Sequence, residues 1–332
     1  MRLGLQLGYW MFGPEDPLDL VLEAERLGFD SVWTAEAYGS DAIAPLCWMG
    51  ARTTRIKLGT AVLQISARTP ACVAMTAATI DHLSGGRLIL GIGVSGPQVV
   101  EGWYGQPFPR PLERTREFVT LLRAMLAREG PVTFAGRHYQ LPHPGGSGLG
   151  KPLKLIMKPL RSRIPIYLGA EGPKNVALAA EICDGWLPLF YSPYRHEVFA
   201  ESLRGMRPGF EIAATVTVSV AKDLAEALVP IKWMLAFYLG GMGARGRNFH
   251  LNLMERMGFG DEGRRVQALF LDGKRDEAAA AVPDRLADEI ALCGPPERIR
   301  DRLAAWKASP VTTLLCGTRD PAAVRAIAEA VL

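Results

Sequence analysis

The chain has 332 residues, 48% of them hydrophobic, enough for one large core and compatible with one α/β barrel or two ordinary domains. With 38 basic and 34 acidic residues the formal charge is only +4, so nothing global demands nucleic acid or an anionic membrane. Five widely spaced cysteines without a C-x-x-C pair argue against a disulfide framework or zinc knuckle and for a reducing, cytoplasmic location.

Residues 3–7 read as a short apolar strand that runs into Gly8-Tyr9-Trp10, with no signal peptide before it. A helix is expected over 17–27 with Gly28 as its C-cap, then a strand over 31–34. A helix over 43–52 leads to a strand over 56–63, and Pro70 opens a helix over 70–82. Strand four is 88–92, followed by a long helix over 113–128. Strands five to eight are placed at 164–168, 185–189, 212–218 and 312–315. Eight strands mostly separated by helices predict a (β/α)8 TIM barrel as a single domain over 1–332. The competing reading is a doubly wound sheet, but no G-x-G-x-x-G follows the first strand. Residues 130–163 and 222–280, the second holding Gly240-Gly241-Met242-Gly243, exceed a minimal barrel and are expected as insertion segments at the catalytic face. No run long enough to span a bilayer is free of a charge or helix breaker.

The most informative stretch is 81–105, DHLSGGRLILGIGVSGPQVVEGWYG, where a strand delivers a loop of bare backbone at its carboxyl end. Such a loop lets a flat or phosphorylated ligand approach closely, and the Ser95 hydroxyl beside Gly96 can bond to it. In 164–173, IPIYLGAEGP, a strand runs through Gly169, Ala170 and Glu171 into a turn, and Pro173 stands near N1 of a helix whose free N–H groups suit phosphate. Gln64-Ile65-Ser66-Ala67-Arg68-Thr69 follows strand three, with Arg68 either a ligand clamp or the partner of a structural carboxylate. Glu36 ends strand two at the catalytic face, with Asp41 nearby to cap the next helix, and Tyr9 and Trp10 either floor a flat ligand or pack the mouth. His82, His138, His143, His196 and His250 have no metal-ligand spacing, so no metal is expected, and no G-x-S-x-G elbow exists. The span 130–170 has no acidic residue and carries Arg137, Lys151, Lys154, Lys158, Arg161 and Arg163, a basic rim or a solvated loop.

The phrases at 64–70 (QISARTP), 81–105, 164–188 and 236–259 resemble the bacterial-luciferase-like family of flavin and deazaflavin oxidoreductases. They are most similar to its coenzyme F420-dependent subgroup, which includes methylenetetrahydromethanopterin reductases. The resemblance covers essentially the whole chain. It implies a flavin-like ring stacked in the barrel mouth and a non-proline cis peptide near Ile65-Ser66. It places Ser95 and Gly96 at the cofactor's linker or phosphate, Gly169, Ala170 and Glu171 along the phosphate, and Glu36 beside the ring. The polyglutamate tail of F420 would give the basic rim a partner. One departure matters: relatives that oxidise alcohols carry a histidine and a glutamate where this chain has Ala37 and Gly96-Pro97. Reduction of an activated C=C or C=N bond is therefore expected, with Glu36, Tyr9 or water as proton donor. The resemblance further implies a small-molecule substrate and a homodimer or higher homo-oligomer. The alternatives are an FMN-dependent monooxygenase and a catalytically idle flavin or small-ligand binder, with nucleic-acid binding last.

Overall fold

The computed structural model describes residues 1–332 except Phe12, Pro14, Gly243, Ala244, Arg245 and Arg247, so the last glycine of the 240–243 cluster lies outside the described residues. In chain order the strands are β1 (Arg2–Gly8), β2 (Ser31–Thr34), β3 (Lys57–Thr60), β4 (Leu63–Gln64), β5 (Leu88–Gly93) and β6 (Phe134–Ala135). They continue with β7 (Gln140–Leu141), β8 (Ile166–Gly169), β9 (Gly185–Leu187), β10 (Glu211–Val220), β11 (Ala291–Gly294) and β12 (Thr313–Gly317). The parallel ladder runs β12-β1-β2-β3-β5-β8-β9-β10, and β10 pairs back to β12. The sheet therefore closes, which excludes the doubly wound alternative.

Two details depart from the sequence reading. The stave expected as one strand over 56–63 is split into β3 and β4, both paired to β5, with a non-proline cis bond at Ala61-Val62 between them. An unexpected ninth parallel strand, β11, pairs with the carboxyl half of β10: Thr217 faces Gly317 on one edge and Ala291 on the other. Its four residues, Ala-Leu-Cys-Gly, are too short for a periodicity to declare itself.

The barrel lumen explains several strand glycines that would otherwise weaken their strands. Trp33 and Tyr167 stack inside it with centroids 5.9 Å apart, beside Ile89, Leu187, Ala213 and Leu315. A Cβ on Gly59 would lie 2.2 Å from the Trp33 ring, and one on Gly185 would lie 2.8 Å from Tyr167. The two large rings occupy the volume that neighbouring side chains would otherwise fill.

Outside the barrel, buried and half-buried carboxylates clamp helices to strand starts. Glu25, on the helix Leu18–Leu27, accepts the backbone N–H groups of Thr54, Arg55 and Ile56 just before β3. Asp184 accepts Ile166 N–H at 2.9 Å and pairs with Arg123 and Arg163. The helix Leu224–Gly241 is long and apolar enough to cross a membrane by length and composition. It nevertheless contains Pro230 and Lys232 and packs against the helix Gly260–Leu271 and β11.

The end of the basic stretch, Arg161 and Arg163, does not collect at the mouth. Arg161 bonds Asp81 and Leu88 O, and Arg163 bonds Asp184, all at the amino ends of staves. Leu155 O is held by Arg128, just past the helix Pro111–Ala127, so this segment runs along the flank toward the opposite end. A cavity of about 340 Å³ opens there, lined by Arg2, Lys57, Arg161, Tyr167 and Glu211. Most of its charged groups are already paired within the chain, Arg2 with Glu211, Lys57 with Asp30 and Arg161 with Asp81, and Arg87 donates to Thr53 and to backbone carbonyls.

Candidate active site

The carboxyl ends of the staves converge on one mouth. Tyr9 follows β1, Glu36 follows β2, Ser66 and Arg68 follow β4, Ser95 and Gly96 follow β5, and Ala170 and Glu171 follow β8. The three loop tips on which a common pocket depends, at Glu36, Ser95 and Gly169, are at the same end of the closed barrel. Ser95 sits at φ 60° and Phe190, just past β9, at φ 56°. Left-handed backbone is uncommon for a serine and costly for an aromatic residue, and such outliers gather where loops are shaped for function.

Val62 forms part of the floor. Its side chain lies 2.5 Å from where a Cβ on Gly93 would sit and 2.9 Å from one on Gly169, so both glycines leave room for it. The cis bond thus lies at Ala61-Val62, four residues earlier than Ile65-Ser66. Ile65 is a core residue whose N–H bonds Gly93 O, while Ser66 stays half-buried beside Val94 and Arg114. Around this floor, Gln6 Oε1 and Gln64 Oε1 are buried with no hydrogen-bond partner among the described residues, and the buried Tyr9 hydroxyl faces Tyr238. Polar atoms in that state cost about 1–3 kcal/mol each unless a ligand or water meets them.

Glu36 is fully engaged. Its carboxylate accepts Gln64 N–H at 2.9 Å and Ala42 N–H at 3.3 Å, and pairs with the Arg68 guanidinium. Arg68 also pairs with Asp41, and Asp41 caps the next helix through Ile43 N–H and Ala44 N–H. Arg68 therefore holds structural carboxylates, and Thr69 is the N-cap of the helix Pro70–Leu83. Tyr104 donates to Ala37 O.

Ala170 O accepts the Trp186 indole N–H, which fixes the turn after β8. The helix Pro173–Ile182 then starts with Gly172 as N-cap and no side-chain cap; Pro173 has no N–H and Asn175 N–H bonds Gly172 O, which leaves the Lys174 N–H for an anion. Arg256 donates to Glu171 O at 2.7 Å and keeps a buried Nε without a partner. Desolvation pulls its pKa below the ordinary guanidinium value, against the attraction of Glu171.

The helices Leu224–Gly241 and Phe249–Arg256 bring further side chains to the mouth. His250 Nδ1 is 2.8 Å from Glu171 Oε1, and the pair is nine-tenths and five-sixths buried, at 10% and 16% side-chain exposure for Glu171 and His250. Tyr238 and Phe190 meet the imidazole edge-on, with centroids 4.9 and 5.7 Å away. Tyr238 in turn lies beside Tyr9. Burial pushes both phenols upward, reinforced by the neighbouring Tyr38 at Tyr9 and by Tyr9 and Glu171 at Tyr238. Because β1 and β8 are the first and fifth staves, the series Tyr9, Tyr238, His250, Glu171 crosses the mouth from one side to the other.

The sequence and the fold have counterparts among known proteins. Residues 4–313 fit the family model described as luciferase-like monooxygenase. The chain belongs to that family. Among luciferase-like relatives, a Mycobacterium tuberculosis protein named as a coenzyme F420-dependent oxidoreductase is 53% identical, over 100% of this chain and 99% of the other. A 5,10-methylenetetrahydromethanopterin reductase of Archaeoglobus fulgidus is 30% identical over 89% of this chain and 87% of its own. The solved coenzyme F420-dependent tetrahydromethanopterin reductase from Methanopyrus kandleri superposes with a TM-score of 0.78 at 23% identity, covering 99% of this chain and 98% of that one.

Sequence reasoning did not single out Gln6, Gln64, Phe190, Tyr238 or His250. Gln6 had one visible signal, a polar side chain inside an otherwise apolar strand. His250 had none, since its partner is 79 residues away.

Proposed function

We propose that this luciferase-like protein is a coenzyme F420-dependent oxidoreductase. In this reading it transfers a hydride between the deazaflavin C5 and an electrophilic carbon of a small organic substrate. The observation that carries the reading is the pair of buried acceptors Gln6 Oε1 and Gln64 Oε1, unpartnered among the described residues, beside the Ala61-Val62 segment. A flat heterocycle with imide N–H and carbonyl groups on its edge is the chemistry that would satisfy them. The residues present therefore fit a deazaflavin, and the names of the full-length relatives favour F420 over FMN.

When bound, the cofactor supplies the redox-active ring carbon. The chain supplies position, dryness and dipoles. Val62 and the glycines opposite it would support one ring face. The uncapped N-terminus at Gly172, with Arg256 beside it, would hold a linker phosphate, with Ser95 and Gly96 reaching it from the adjacent stave β5. Ala170 shapes this turn through its bond from Trp186 rather than by touching the ligand with a side chain. Glu36 serves as scaffold, since its acceptor positions are filled by Gln64, Ala42 and Arg68.

Fluorescence titration of the purified protein with F420 and, separately, with FMN tests the reading. F420 binding with F420H2 oxidation by an enone or imine is the expected result. Tight FMN binding with oxygen-dependent turnover would instead favour a monooxygenase. F420 binding without turnover on any acceptor would favour an idle binder.

A further inference from the structure

Hydride addition to a polarised C=C or C=N bond leaves an electron pair on the far atom, and that atom must be protonated. Most titratable groups at the mouth are committed elsewhere. Glu36 and Asp41 are taken by Arg68 and by backbone N–H groups, and Tyr104 is bonded to Ala37 O. Burial makes Tyr9 and Tyr238 weaker acids than free phenols.

His250 is placed differently. Glu171 Oε1 lies 2.8 Å from its Nδ1, which orients the ring and leaves Nε2 without a hydrogen-bond partner among the described residues. The edges of Tyr238 and Phe190 confine the imidazole, and Phe190 is held there by left-handed backbone. Glu171 Oε2 is itself buried and has no partner among the described residues, so the dyad presents there an open nitrogen and an open acceptor oxygen. A carboxylate on one ring nitrogen, with the other free, is how an imidazole is prepared for proton transfer. Among the described residues, the charged and titratable groups facing it are Glu171 beyond β8, Tyr238 with Tyr9 behind it, and Arg256 on its own helix.

We propose that His250, oriented by Glu171, is the residue that exchanges a proton with the substrate through Nε2. The assignment rests on the oxidoreductase reading above. In reduction, the hydride pair from the reduced deazaflavin forms the new C–H bond. The π pair moves to the far carbon or nitrogen, which takes the proton from imidazolium Nε2. The N–H bonding pair stays on His250, which regains a proton from solvent. Glu171 is a positioning residue that acts through His250.

The test uses the full chain loaded with F420H2, and cyclohex-2-enone or 3,4-dihydroisoquinoline as acceptor. His250→Gln should lower kcat about 100-fold, with F420 affinity and Tm close to wild type and one limb of the kcat–pH profile gone. Glu171→Gln should lower kcat about tenfold with KM unchanged, and Glu171→Asp should recover part of the loss. A readout free of turnover is the ¹⁵N ring spectrum of His250 in cofactor-free protein. The neutral ring should carry its proton on Nδ1 in the wild type and mainly on Nε2 in Glu171→Gln. An Nε2-protonated wild-type ring, or a His250→Gln variant that keeps wild-type kcat and pH profile, overturns the proposal. So does a joint fall of F420 affinity, kcat and Tm, which marks a latch between the helix and β8. A wild type that binds no F420 removes the cofactor reading and the proton role with it, while the tautomer result stands by itself.

Discussion

Gly91, inside β5, and Gly96, five residues later in the loop that follows it, look alike in sequence and have different jobs. A Cβ on Gly91 would stand 1.8 Å from Thr60 O and 2.7 Å from Leu187. Backbone cannot yield there, so Gly91→Ala should destabilise the protein by about 3 kcal/mol, seen as a lower Tm in calorimetry. A Cβ on Gly96 would meet only the flexible end of Gln98, at 3.2 Å, and its φ of −113° suits any residue. Gly96→Leu should therefore fold normally while weakening F420 binding at least tenfold by filling the mouth. Unchanged F420 affinity in that variant would remove Gly96 from the site.

At the scale of elements, carboxylates placed where a loop meets a stave tie the frame together. Asp184 joins the helix Pro111–Ala127 through Arg123, the end of the basic stretch through Arg163, and the start of β8 through Ile166 N–H. Burial alone would push its pKa up. The Ile166 N–H and the two guanidinium groups outweigh that and hold it below the ordinary carboxylate value. Its stabilisation is complete above the unfolded-state pKa, about 4, and is lost as pH falls through the lower folded value. The Tm should therefore drop on acidification below about pH 4, and Asp184→Asn should start lower and fall less steeply. An identical acid slope in the variant would place the sensitivity elsewhere. Glu289 acts in the same direction, since Arg195 and Arg285 outweigh its desolvation and hold its pKa down.

For the molecule as a whole, one closed core hides most of the chain's reactive sulfur. Cys183, Cys293 and Cys316 are buried, and burial pushes each thiol up to about 12. Cys47 is exposed and Cys72 half-buried. N-ethylmaleimide should label at most these two in the native protein and all five after unfolding, counted by intact-mass spectrometry. Rapid labelling of Cys183 or Cys316 without denaturant would mean that the barrel opens far more readily than its closed ladder implies.

The sequence by itself determined the barrel, seven of its eight staves nearly to their ends, and the Gly28, Asp41 and Pro173 helix boundaries. Those features are local: alternating apolar strands, glycine caps and proline at N1 act within a few residues. It also located the loop tips at Glu36, Ser95 and Gly169, because in a closed parallel barrel every loop that follows a stave must emerge at the same end. Only the tertiary structure decided what each side chain does there. Arg68 could have faced a ligand, and it is Glu36 and Asp41 folded back from β2 that claim it. The basic stretch around Arg161 carries no sign of direction in its composition, and Asp81 draws it to the far end. His250 meets Glu171 only because two helices after β10 lie across the mouth. Short-range geometry writes the frame into the chain, whereas pairings between residues tens of positions apart exist only once that frame has closed.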